Sequence, residues 1–201
     1  MTTQIHFIPG SATSAVQRAR MASLLFATSY LEYCSYANKL GLPLVALQQR
    51  QNIDPYLDHI EAMLDGEERF AGFYNAATIA DYAALPAVSY YRDEMRSMDA
   101  EYEAFIDGHA RPDDLFVASL AIEEGYRGQG LFHVLFARLR ALAQEKNSPR
   151  IVLAVWEQGD ALAIYLKQGF VLLGRYDGAY PVFFDCLHFL AYDLTARRSV
   201  T

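Results

Sequence analysis

The stretch LFVASLAIEEGYRGQGLFHVLFARLRALA, residues 115–143, decides how this chain is read. Leu115 to Ile122 is apolar and rich in β-formers, as in a buried strand. Leu131, Phe132, Leu135, Phe136, Leu139, Leu142 and Ala143 recur at helical spacing. Their apolar face is wide, of the kind a helix lays on a sheet. Between strand and helix stands Glu123-Glu124-Gly125-Tyr126-Arg127-Gly128-Gln129-Gly130. Such a turn suits a pyrophosphate. The first-turn amides of a helix lack internal acceptors, the helix dipole favours an anion there, and glycines let the anion approach the backbone. The GxxxxGK(S/T) pattern of a P-loop is absent. No third glycine comes after Gly128-Gln129-Gly130 at the spacing of a dinucleotide fingerprint.

Downstream, Asn147-Ser148-Pro149 breaks the helix and Ile151 to Trp156 reads as a second buried strand. Gln158-Gly159-Asp160 turns into a helix over Ala161 to Gln168, with Gly169 in the C-cap position. Phe170 to Tyr176 and Leu187 to Leu194 read as two closing strands, joined by a loop with Gly178 and Pro181. Upstream, Ile5, Phe7 and Ile8 suggest a first strand ended by Pro9-Gly10, and Ser11, Thr13 or Ser14 caps the next helix. Helix formers run from Ala15 to Leu40, as one helix or two, to Gly41 and Pro43. Leu44 to Leu47 reads as a short strand or a loop. A second helix is expected after Asn52 or Asp54, with Pro55 in its first turn. Tyr56, Leu57, Ile60 and Leu64 form its stripe and Asp65-Gly66 its end. Phe70 to Ile79, with Gly72 inside, reads as a strand. The less regular stretch 86–111 reads as a helical insert, its surface helix running from Tyr90 to Ile106 and ending at Gly108. The element order describes an α/β fold with parallel pairing at its centre.

The length of 201 residues favours one domain over 1–201. An apolar fraction of 53% and a charged fraction of 20% suit a packed globule. The net charge of -7 and the lack of a basic patch argue against a nucleic-acid partner. The acidity is compatible with a cationic substrate such as an amine, although solubility alone accounts for it. Cys34 and Cys186 show no CxxC or Cys/His spacing, so no zinc site and no disulfide framework are expected. Cys34 reads as core. A reduced, cytoplasmic protein is the simpler expectation. Met1 to Gly10 does not read as a signal peptide, and no window is long and apolar enough to span a bilayer.

Two blocks over residues 115–170 resemble the acyl-CoA-binding core of the GNAT superfamily of N-acyltransferases. The first, after a strand, resembles (Q/R)xxGx(G/A): here Arg127-Gly128-Gln129-Gly130-Leu131-Phe132. The second resembles NxxAxxxYxxxGF: here Gln158, Ala161, Tyr165, Gly169 and Phe170, in register. The resemblance implies a mixed, partly splayed β-sheet flanked by helices on both faces. It implies acetyl-CoA as the acyl donor and direct attack by a primary amine in a ternary complex. The N–H groups of Gly128, Gln129, Gly130, Leu131 and Phe132 would hold the CoA pyrophosphate, with Arg127 adding charge. The strand end at Leu120, Ala121 and Ile122 would pair with the pantetheine arm, and one amide there would polarise the thioester carbonyl. Tyr165 would be the general acid, since a phenol is protonated at neutral pH and can donate to a developing thiolate.

Two positions depart from the pattern. Phe132 stands where glycine or alanine is usual, and its ring reads as joining Phe136 and Leu139 on the helix's apolar face. Gln158 replaces asparagine, keeping an amide one methylene further out. Glu123, Glu124 and Asp114 lie near the relevant strand, and none stands out as the base. Tyr82, Tyr90, Tyr91, Tyr180, Phe183 and Phe184 read as core and loop packing or as walls of an acceptor pocket. The resemblance implies a small-molecule or protein amine as acceptor, and no membrane partner is expected. The resemblance allows a homodimer through Leu187 to Leu194. The alternative function is a non-catalytic acyl-CoA-binding or regulatory domain, because a fold outlives its chemistry.

Overall fold

The computed structural model describes residues 4–29, 41, 43–48, 53–85, 100–177 and 186–195. Its strands are β1 (Ile5–Pro9), β2 (Ile60–Asp65), β3 (Phe70–Thr78), β4 (Leu115–Ile122), β5 (Arg150–Trp156), β6 (Val171–Tyr176) and β7 (Leu187–Asp193). Its helices are α1 (Ala15–Thr28), α2 (Ile79–Ala83), α3 (Ala100–His109), α4 (Leu131–Glu145) and α5 (Asp160–Gln168). The strands form one seven-stranded sheet in the order β1-β2-β3-β4-β5-β7-β6. The fold is mixed α/β: β4 and β5 run parallel, while β1–β2, β2–β3, β5–β7 and β6–β7 are antiparallel.

The chain divides into two compact units. The first holds the chain up to Ala76 and Ser119–Arg138. Its core joins Met21, Ala22 and Leu24 of α1 to Ile53, Ile60, Ala62, Phe73 and Ala121. Ser14 starts α1 with a capping box: its side chain accepts from Gln17 N–H, and the Gln17 side chain accepts from Ser14 N–H. Both leading amides thereby gain partners. The expected continuation of this helix over 30–40, with Cys34, lies outside the described residues.

Two expectations in this unit are corrected. Leu44–Leu47 is a 3-10 turn. The expected helix from Asp54 to Asp65 is a 3-10 segment, Asp54–His59, followed by strand β2. Pro55 does sit in its first turn. Ile60 and Leu64 match a helical stripe, but β2 lies between β1 and β3 and is buried at every position except Glu61. A strand covered on both faces reads as a continuous apolar run, so its period carries no signature. Glu61 is acceptable there because Arg138 of α4 donates to both its carboxylate oxygens, at 2.6 and 2.8 Å, and Tyr74 O–H donates at 2.5 Å. Burial pushes the Glu61 pKa up, but these donors overcome it and hold the carboxyl below its usual range.

The second unit holds Ala77–Leu85, the chain from Arg96 to Ala118, and the chain from Leu139 onwards. Ile106 of α3 packs with Val152, Phe189 and Ala191, and Tyr102 and Phe105 close over that cluster. The expected helix over 90–106 is described only from Ala100; it runs on through Gly108 to His109. Close approach explains one glycine here: a Cβ at Gly174 would strike the His109 ring. Asp114 is fully buried beside Arg150, whose Nε donates to it at 2.9 Å while its Nη2 makes a second, shorter contact. Asp114 also accepts from Arg111 N–H at 2.8 Å. This pair stands at the start of the parallel ladder, where Leu115 registers with Ile151 and Phe116 with Val152.

Candidate active site

In the first unit the glycine-rich turn lies between strand and helix, as its sequence implies. A 3-10 turn, Glu124–Tyr126, leads into Arg127, and α4 begins at Leu131. Gly128 and Gly130 have φ of +74° and +79°, a region nearly closed to residues with a Cβ. A Cβ at either position would meet nothing within 4 Å. The glycines therefore serve backbone conformation and leave open space beside the first turn of α4, where the leading amides of a helix lack acceptors one turn back; the His133 amide there donates to the Gly130 carbonyl at 3.0 Å. A turn of this kind could hold an anion such as a pyrophosphate.

The turn is braced from several sides. Tyr126 O–H donates to Asp65 at 2.6 Å. Asp65 is only 1% exposed and also accepts from the Glu67 and Arg69 amides and from Arg69 Nε. The Tyr126 hydroxyl, followed by the Arg69 donors, holds the Asp65 carboxyl far below its usual range despite burial. Gln129 Nε2 donates to the Gly125 carbonyl at 2.7 Å, and Arg127 Nε donates to the Ile122 carbonyl at 3.1 Å. Arg20 grips Glu123 through two bonds of 2.5 and 2.6 Å. The Arg20 hydrogen bond lowers the Glu123 pKa, so Glu123 is a poor proton acceptor.

The end of β4 is held by a close approach. A Cβ at Gly72 of β3 would run into the Ala121 carbonyl and come within 2.6 Å of the Met63 methyl and 3.1 Å of Ile122 Cα. The Glu123 amide donates to Ala71 O at 2.9 Å. Ala121 is buried, and Leu120 and Ile122 are half-buried. Phe132 stacks on Phe136 with ring centroids 6.1 Å apart and planes 3° off parallel. Leu131 is buried, and Gly128, Gln129 and Gly130 are exposed, with Arg127 on the same surface turn.

In the second unit, α5 carries Tyr165. Gly159 is its N-cap, and Gly169, with φ +98°, is its left-handed C-cap. Tyr165 is 8% exposed and meets Phe170 edge-on at 5.4 Å. Burial raises its phenol pKa well above the usual value, so the hydroxyl stays protonated. Gln158 is exposed just before the helix. Asp114 is committed to Arg150. Tyr82 packs edge-on against Phe116 at 6.0 Å. Tyr90, Tyr91, Tyr180, Phe183 and Phe184, together with Gly178 and Pro181, lie outside the described residues.

One grouping is not evident in the sequence. Glu157, Cys186 and His188 place a carboxylate oxygen, a sulfur and a ring nitrogen all within 4.8 Å of one another. The expectation of no zinc site passes over Cys186-Leu187-His188, and Glu157, one residue past the end of β5, joins them only through strand pairing.

A glycine turn opening a helix on a mixed seven-stranded sheet makes this a mixed α/β domain. The model of the acetyltransferase (GNAT) family matches residues 43–170, more than half of the chain. The chain belongs to that family. No curated protein matches it in sequence. Among solved structures, the C-terminal condensation domain of Ebony, in complex with β-alanyl-dopamine, is 10% identical with a TM-score of 0.65, covering 96% of this chain and 100% of that one. A Bacillus subtilis acetyltransferase in complex with CoA is 14% identical with a TM-score of 0.57, covering 95% and 99%. At these identities the likeness is one of fold. A nourseothricin acetyltransferase is 17% identical over 67% of this chain with a TM-score of 0.44, and the chain covers only 64% of its length. Among the described residues, no helix is long and apolar enough to cross a membrane.

Proposed function

We propose that the chain is an N-acyltransferase that moves an acetyl group from acetyl-CoA to a primary amine by direct attack in a ternary complex. The observation that carries this reading is the braced turn at the head of α4, with two glycines at positive φ and open space around both. When bound, acyl-CoA supplies an activated thioester. The Gly128 to Phe132 amides receive its pyrophosphate, and Arg127 adds positive charge beside them. The Leu120 to Ile122 strand end pairs with the pantetheine arm. Tyr165 donates a hydrogen bond to the leaving sulfur. With its phenol pKa raised above that of a thiol, about 8.5, hydrogen-bond donation leads and proton transfer comes second. Gln158 contributes an amide to the cofactor.

The acceptor is an amine, either a small molecule or a protein, and the proposed setting is the cytoplasm. Calorimetric titration with acetyl-CoA and with free CoA tests the cofactor site, and thiol release over a panel of amines tests the chemistry. Binding of both with turnover on an amine is expected; binding of neither overturns the reading. One observation favours the second reading, a non-catalytic acyl-CoA-binding domain. Glu123 and Asp114, two of the carboxylates near β4, are both engaged by arginines. Binding without turnover across the panel selects it.

A further inference from the structure

The strands β5, β7 and β6 are consecutive in the sheet, and their registers bring together residues far apart in sequence. Trp156 registers with Leu187 in the β5–β7 ladder, and the next residue outward, Glu157, donates its amide to the Cys186 carbonyl at 2.9 Å. Directly opposed residues share a face of a sheet, and so do residues two apart on a strand. Glu157, Cys186 and His188 therefore converge. Cys186 Sγ lies 3.2 Å from Glu157 Oε2, and His188 Nε2 lies 3.3 Å from Glu157 Oε1. Zinc bonds of about 2.3 Å to sulfur and about 2.0–2.2 Å to nitrogen or oxygen, at tetrahedral angles, separate ligand atoms by roughly 3.4–3.6 Å. The two separations, each to a different oxygen of Glu157, are slightly shorter than that spacing, and one ligand atom from each of the three residues lies within 4.8 Å of the others, so small side-chain adjustments bring the set to it.

We propose that Glu157, Cys186 and His188 bind a borderline divalent metal ion of the zinc type, with the remaining position open to water. Sulfur, imidazole and carboxylate together suit such an ion and not magnesium or calcium. The ligands come from strand ends, so the site is largely preformed. Cys186 is buried while Glu157 is about two-fifths exposed, which gives the ion a sheltered ligand and a path in from solvent. Coordination replaces the thiol proton, which Cys186 donates to Glu157, by a metal–sulfur bond and releases that proton to the solvent. Arg175, which registers with His188 on β6, occupies this charge position. Its Nη2 lies 3.1 Å from Cys186 Sγ and from both Glu157 oxygens. It is half exposed, so it can leave into water when the ion enters.

The test is titration of the full reduced chain with Co²⁺ as a spectroscopic stand-in, followed by Zn²⁺. A sulfur-to-cobalt charge-transfer band that saturates at a single equivalent and is bleached by Zn²⁺ is expected. The band is expected to vanish in Cys186→Ser and in His188→Ala, and to persist in Cys34→Ser. No band in the wild-type chain, or a band retained in Cys186→Ser, overturns the site. A second reading does not depend on variants that fold. In wild-type protein, Zn²⁺ should slow alkylation of Cys186, located by mass spectrometry, and an unchanged rate overturns the proposal.

Discussion

Replacing Asp114 with alanine should destabilise the protein strongly. Asp114 is fully buried and accepts from Arg150 and from the Arg111 amide. Removing one partner of a buried ion pair strands the other, a cost of about 3–5 kcal/mol. Arg150 keeps 14% side-chain exposure and a 3.3 Å bond to the His109 carbonyl. Partial rehydration therefore places the loss near the lower end, about 3 kcal/mol. Total stability for a domain is about 5–15 kcal/mol, so the variant should still fold. Its melting temperature should drop by about 6–12 °C, at about 2–4 °C per kcal/mol for a chain of this size. Urea unfolding followed by circular dichroism provides the free energy. The double variant Asp114→Leu with Arg150→Met removes both charges and should recover most of the loss. A single variant within about 0.5 kcal/mol of wild type, the range of ordinary surface changes, would refute the claim that this pair pins the start of the β4–β5 ladder.

Tyr165→Phe should lower turnover while acetyl-CoA affinity, read by calorimetry, stays close to wild type; equal turnover removes Tyr165 as the donor. The same variant tests linkage. Because the folded phenol pKa is raised, its contribution is complete below the unfolded value of about 10 and is lost as pH climbs towards the folded one. Alkaline unfolding profiles should therefore be shallower in Tyr165→Phe. Asp65 behaves in the opposite sense, since its folded pKa is depressed. Its contribution is complete above the ordinary value of about 3.9 and fades as pH falls, so Asp65→Asn should flatten the acid limb of a stability–pH curve. Gly130→Glu should abolish acetyl-CoA binding, whereas Gly130→Ala, strained by φ +79° but free of clashes, should keep the fold and lose about 1 kcal/mol of stability.

The central fold was legible because its signals are local. Leu115 to Ile122 is a strand with those bounds, the glycine turn opens α4 at Leu131, and Gly169 caps α5. Each rests on a run of apolar residues or on a glycine whose φ the chain requires. The segment from Asp54 to Asp65 misled because its apolar spacing fits a helix, while its state is set by two neighbouring strands that no local pattern reveals. The same reason hid the braces. That Glu123 belongs to Arg20, and Asp114 to Arg150, comes from register and burial and not from spacing. The Glu157, Cys186 and His188 grouping likewise needs the paired strands to exist.

The bond from Tyr126 to Asp65 spans 61 positions of chain, and it sets an order of events during synthesis. The β2–β3 hairpin, whose turn holds Asp65 through Arg69 and the backbone amides, is synthesised before Tyr126, so the glycine turn gains this brace only once both segments have been made. Substitutions that slow the hairpin should therefore delay the appearance of cofactor-binding competence in a nascent chain, even where the mature protein is unaffected.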